Sequence, residues 1–231
     1  MNLIHTRILV FAALSVKLTL ASAHAPVVES TDSSPENPIT ITWSLDISIA
    51  IYGHFEHTHD VDVVDFNLTD QEAADGVNLY LHTLVPACRV YQKLLPTVAV
   101  VGPWQGSLRD SGTAVDLPFE PAHGEGLTLL KNSEQGQTWY EPFSGKNYFW
   151  QKSMTVTLSR AGRYRLYLWS PQQMRGDYVL AIGSRERWGL REISRAFRHM
   201  PELLSNREIH NESCRAELER QEPSTNPLPE K

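Results

Sequence analysis

The stretch MTVTLSRAGRYRLYLWS, residues 154–170, decides the fold. Met154, Val156 and Leu158 alternate with Thr155 and Thr157, and beyond Ala161-Gly162 the residues Tyr164, Leu166 and Leu168 alternate with Arg163, Arg165 and Tyr167. A period of two puts one set of side chains on each side of an extended backbone, and the small-residue pair between the runs is turn chemistry. The stretch therefore predicts two half-buried strands joined by a tight turn.

The pattern spreads outward in both directions. Downstream, Gly176 leads into Tyr178, Leu180 and Ile182. Upstream, the sets Ile39/Ile41/Trp43, Ile47/Ile49/Ile51, Val64/Phe66/Leu68 and Val77/Leu79/Leu81 repeat it, Thr97 to Val101 is a β-branched run between Pro96 and Gly102-Pro103, and a short apolar run covers Leu127 to Leu130. Many short strands separated by turn signals, with no helical pattern between them, predict an all-β fold, an antiparallel β-sandwich of the jelly-roll kind, over residues 39–183.

After Gly183 the period changes. Leu190, Ile193, Phe197 and Met200 recur at helical spacing until Pro201, and Leu203, Leu204 and Ile209 continue apolar, so residues 184–220 are expected to form a helical appendage. Residues 221–231 read as disordered. At the other end, Arg7, the apolar runs 8–15 and 18–20, and Ala21-Ser22-Ala23 have the order of a secretory signal peptide over residues 1–23. Residues 24–38, with three prolines among polar residues, read as a disordered leader. No other stretch reaches the roughly 18 apolar residues of a membrane-spanning helix, and the expected location is the periplasm or the extracellular space.

The formal charge of −6 argues against nucleic-acid binding, which needs a concentrated basic surface. Cys88 and Cys214 are the two cysteines. Pairing in an oxidising compartment and two separate thiols both stay open, because sequence distance does not report spatial distance.

The segments IYGHFEHTHDVDVVDFNL (51–68), GVNLYLHTLVP (76–86) and MTVTLSRAGRYRLYLWSP with GDYVLAIG (154–183) resemble the opening and closing strands of pre-peptidase C-terminal-like β-sandwich domains of secreted bacterial proteins. WYEPFSGKNYFW (139–150) is unusual for them and resembles a set of uncharacterised exported proteins with the same frame. The likeness spans roughly residues 45–183. It implies a non-catalytic accessory module of a kind associated in some members with calcium, collagen or polysaccharide.

Several groups of residues are candidates for chemistry. His54, His57 and His59, with Glu56 and Asp60, carry the ligand types of a zinc or copper site, although a solvated turn accounts for them equally. His24 would be the new amino terminus after signal cleavage and a copper chelator with its own amine. Asp60, Asp62, Asp65, Asp70, Glu72 and Asp75 offer the oxygens calcium needs, or simply an acidic surface. Trp139, Tyr140, Phe143, Tyr148, Phe149 and Trp150 form either a stacking platform for a ligand or core. Arg187, Arg191, Arg195 and Arg198 opposite an apolar stripe suit an anionic membrane surface over residues 187–198, or a helix packed on the sandwich. No nucleophile motif accompanies these residues.

Together these features predict an exported non-catalytic binding or accessory module for a carbohydrate or protein ligand, with no obligatory cofactor. The alternative is a periplasmic metal-binding protein using His54, His57 and His59, with calcium, zinc or copper as the ion.

Overall fold

A computed structural model describes residues 25–104, 116–141, 144–185 and 214. Eleven strands form two sheets among them. The stretch 154–170 behaves as its alternation requires: β9 (Lys146–Leu158) turns at Gly162, whose φ of 133° favours glycine, into β10 (Gly162–Trp169). The two strands nevertheless enter different sheets.

The first sheet has the order β1 (Ala25–Val28), β3 (Ile49–Phe55), β11 (Gly176–Ile182), β5 (Val77–Pro86), β9 and β8 (Thr138–Glu141). The second has β2 (Ile39–Ile41), β4 (Val61–Leu68), β10, β6 (Thr97–Gly102) and β7 (Gly126–Leu130). Their facing rows make one core. Ile49, Ile51, Phe55, Leu79, Leu81, Tyr178, Leu180 and Ile182 come from the first sheet, and Val64, Phe66, Val98, Val100, Tyr164, Leu166 and Leu168 from the second, all essentially without exposure. Burial of this apolar area is the main favourable term. Register shows the packing directly, since Phe66 pairs with Tyr164 and their rings stack at 5.5 Å.

The strand pairing is antiparallel except at two edges, where β1 runs parallel to β3 and β2 parallel to β4. Both exceptions come from the amino-terminal segment, which starts on one sheet and crosses to the other. The leader expected to be disordered is thus corrected: Ala25 to Val28 are apolar enough to add a strand, and the prolines and polar residues after them make the crossover. A second correction lies between β4 and β5. Asp70–Asp75 is a short helix, α1, started by a capping box in which Thr69 and Glu72 satisfy each other's backbone amides.

Cys88 and Cys214 form a disulfide with Cα atoms 5.7 Å apart, which settles the question the sequence left open. Cys214 is helical; at the start of the expected appendage Ser184 and Arg185 are instead non-helical, Arg185 forming a parallel β-bridge to Ile47, and the rest of the appendage and the signal segment lie outside the described residues.

Candidate metal centre

The crossover puts carboxylates where the sandwich ends. β1 finishes at Val28, and the Glu29 amide still donates to Tyr52 O at 3.0 Å, so the Glu29 side chain is held at the sheet margin. Its Oε1 accepts from the Ser33 amide at 2.8 Å and its Oε2 from the His54 amide at 3.0 Å. Asp32 follows in the crossover. Across the gap, Asp62 occupies the first inward position of β4, in the row continued by Val64, Phe66 and Leu68.

Asp62 has no solvent exposure, and neither of its carboxylate oxygens has a hydrogen-bond partner. One donor oxygen each from Glu29, Asp32 and Asp62 lies within 4.8 Å of the others, the group of this kind found among the described residues. The Tyr178 hydroxyl, on the inward row of β11, is also buried and lies beside Asp62, partly offsetting the effect of burial on that carboxyl. Gly53 makes the convergence possible: a Cβ there would fall 2.4 Å from the Tyr178 hydroxyl oxygen and 3.0 Å from Glu29 Oε2.

The electrostatics follow from that geometry. Burial, reinforced by the neighbouring Glu29 charge, pushes the Asp62 carboxyl up to about 9. Burial also raises Glu29, and burial with the charges of Asp60 and Glu56 raises Asp32. No lysine or arginine is among the groups acting on these three carboxyls. Asp62 is buried, Glu29 half-buried and Asp32 exposed at the mouth of the group, so the cost of ionising all three falls chiefly on Asp62 and is one that a cation would offset. Carboxylate and phenol oxygens are hard donors, suited to calcium or magnesium and not to the soft or imidazole-preferring ions.

The other predicted residues are placed as follows. Asp60 lines the same turn, but its carboxylate caps it, accepting from the Glu56 and Val61 amides. Asp65 is paired with Arg163, while Asp70, Glu72 and Asp75 belong to α1. Of the six clustered acids, therefore, Asp62 alone joins the centre. His54 Nδ1 bonds Asp177 Oδ1 at 2.6 Å, and Tyr91 donates to Asp177 Oδ2 at 2.8 Å. His57 and His59 are exposed on the turn, so the histidines are not gathered into one ligand set; His24 lies outside the described residues.

The aromatic run is mostly consumed by packing. Tyr148 is fully buried, Trp150 stacks on His82 at 4.1 Å, and Trp139 meets Trp150 edge-on at 5.2 Å. Tyr140 is exposed, and Phe143 lies outside the described residues, as does the basic stretch 187–198. No described helix is long and apolar enough to cross a membrane.

The sequence reading missed Glu29 and Asp32. The available signal was the position of Glu29 directly after the apolar pair Val27-Val28, which marks the end of a short strand.

No family model and no curated protein matches the chain. Among solved structures it is similar to the pre-peptidase C-terminal domain of a collagenase from Bacillus anthracis, at 15% identity and a TM-score of 0.32, over 65% of this chain and 99% of that one. It is also similar to CorA, a surface-associated copper-binding protein important in copper acquisition by Methylomicrobium album BG8, at 10% identity and a TM-score of 0.26, over 71% and 100%. The first is of the domain class the strand segments resemble; at these identities and TM-scores the likeness carries neither membership nor function.

Proposed function

We propose that this protein is an exported binding module whose amino-terminal crossover is fastened across the sandwich end by a hard divalent cation, with calcium as the best fit. The observation that carries the reading is Asp62, a fully buried carboxylate with two unpartnered oxygens facing Glu29 and Asp32. Leaving such a group without a partner is costly, and a cation would satisfy it. Glu29 and Asp32 belong to the crossover and Asp62 to β4, so one ion would join the strand pair β1/β3 to the opposite sheet. The role is binding and support. The residues converging on the centre are acceptors and a phenol, with no nucleophile and base pair among them.

The metal reading thereby moves from imidazole to carboxylate. A thermal melt with and without calcium chloride tests it. At about 100 times Kd a ligand adds roughly 2.7 kcal/mol, which for a chain of this size corresponds to a rise in Tm of about 5–10 °C. Asp62→Asn should abolish the rise without lowering the Tm measured in chelator. A wild-type Tm that does not respond to millimolar calcium overturns the reading.

A further inference from the structure

The same strand end carries a second feature on its outer side. Asp62 pairs in register with Leu168, and the next residue, Trp169, faces away from the core with Val61 and Val63. Leu117 and Phe119 cover that outer face, with Phe119 stacked on Tyr167 at 3.8 Å. Where this cover stops, a cleft of about 570 Å³ opens between the Thr58–Asp60 turn, Asp116–Pro118, Lys131 and the Ser170–Gln173 turn, with Trp169 in its wall.

We infer that this cleft is the ligand-binding site of the module and that its ligand is a short neutral oligosaccharide. This rests on the binding-module reading above and adds a ligand class to it. The volume falls within the roughly 300–1,000 Å³ of small-ligand sites, whereas a protein partner would need a broad, flatter surface. Lys131 and His59 among the lining residues, against Asp60 and Asp116, are not the cluster of cations an anionic ligand requires. Thr58 and Gln173 bring a hydroxyl and an amide that donate and accept, and Gln172 its amide N–H groups, beside the apolar Leu117, Pro118 and Pro171. That mixture matches the hydroxyl edges and C–H faces of a sugar ring.

Part of the polar lining is already committed, which shows what remains for a ligand. Asn132 donates to Thr83 Oγ1 and the Pro96 carbonyl, so it braces the wall. Ser170 Oγ accepts from the Met174 amide, and Gln172 Oε1 from the Leu95 amide at 3.3 Å. Gln173 differs from these. It is exposed and has a φ of 54°, the one positive value among the described non-glycine residues. Glycine would be less strained there. Strain of this kind gathers at ligand clamps, and here it holds a glutamine amide at the rim of the cleft.

The test uses cellotriose, maltotriose and tri-N-acetylchitotriose, titrated by calorimetry into the purified protein in calcium and again in chelator. At least one should bind with a Kd below about 1 mM, and Gln173→Gly should weaken it by about tenfold or more while leaving Tm equal or higher. A purely structural Gln173 would show the Tm effect without the loss of binding. Failure of all three sugars to bind in calcium, or unchanged affinity in Gln173→Gly, overturns the inference. Sugar binding with no thermal response to calcium would sink the cation reading alone, and a calcium response without sugar binding would sink the cleft alone.

Discussion

Asp62 and Phe66 stand in one inward row of one strand, four residues apart, yet their surroundings are opposite. Phe66 meets Tyr164 across the sheet and packs among aliphatic side chains. Asp62, equally hidden from water, meets Glu29, Asp32 and the Tyr178 hydroxyl. Strand alternation determines which side chains face inward; what awaits them depends on how far along the sandwich they sit. In the middle the opposite sheet supplies apolar surface, and at the end the crossover supplies acids.

Mutation should separate the two positions cleanly. Phe66→Ala should cost about 3–5 kcal/mol, as for other buried aromatic truncations, with or without calcium, measured by denaturant unfolding. Asp62→Asn should behave the opposite way, losing roughly the 2.7 kcal/mol of stabilisation that saturating calcium gives and none of the stability measured in chelator. Equal losses at both positions under both conditions would erase the contrast.

Gly53→Ala probes the space between them and the cation. The added methyl drives against the Tyr178 ring and hydroxyl and comes within reach of Glu29, so a cost of about 1–3 kcal/mol is expected from overpacking, with weakened calcium binding. Unchanged binding would mean that the Tyr178 position is irrelevant to the ion.

The pH dependence sharpens the comparison further. A carboxyl raised from its usual 3.8 to about 9 binds a proton in the folded, cation-free protein that the unfolded chain has released. Stability in chelator should therefore fall as pH rises between those values, and calcium affinity should increase over the same range as the competing proton leaves. His54 adds a smaller effect of the same direction. Its hydrogen bond to Asp177 raises its pKa above 6.5, so its contribution is complete below that pH and disappears as pH rises through the raised value. Being partly exposed, it should be worth no more than about 1 kcal/mol, and His54→Gln should remove that slope alone.

Much of the sandwich was legible because its signal is local. Tyr164 to Leu168 and Val64 to Leu68 declare their faces by alternation, and glycines mark the turns. β1 escaped because four residues with a proline carry too little periodicity, and β8 because its aromatics read as a ligand platform. The centre was half legible. Asp62 was noticed in a crowd of acids, but only the fold distinguishes it from Asp65, neutralised by Arg163, or Glu72, spent on a helix cap. Glu29 and Asp32 reach it through a chain crossover between sheets, and such long-range placement leaves no trace in spacing. The histidines were conspicuous in sequence and separate in space, since extended backbone followed by a turn sends them in different directions.

Calcium titration by calorimetry at neutral pH, repeated in buffers of different ionisation enthalpy, tests the buried acid centre most directly. Saturation at one equivalent with release of about one proton is expected, both absent in Asp62→Asn. Heat that never saturates, or saturable binding that survives Asp62→Asn with no proton released, would contradict it.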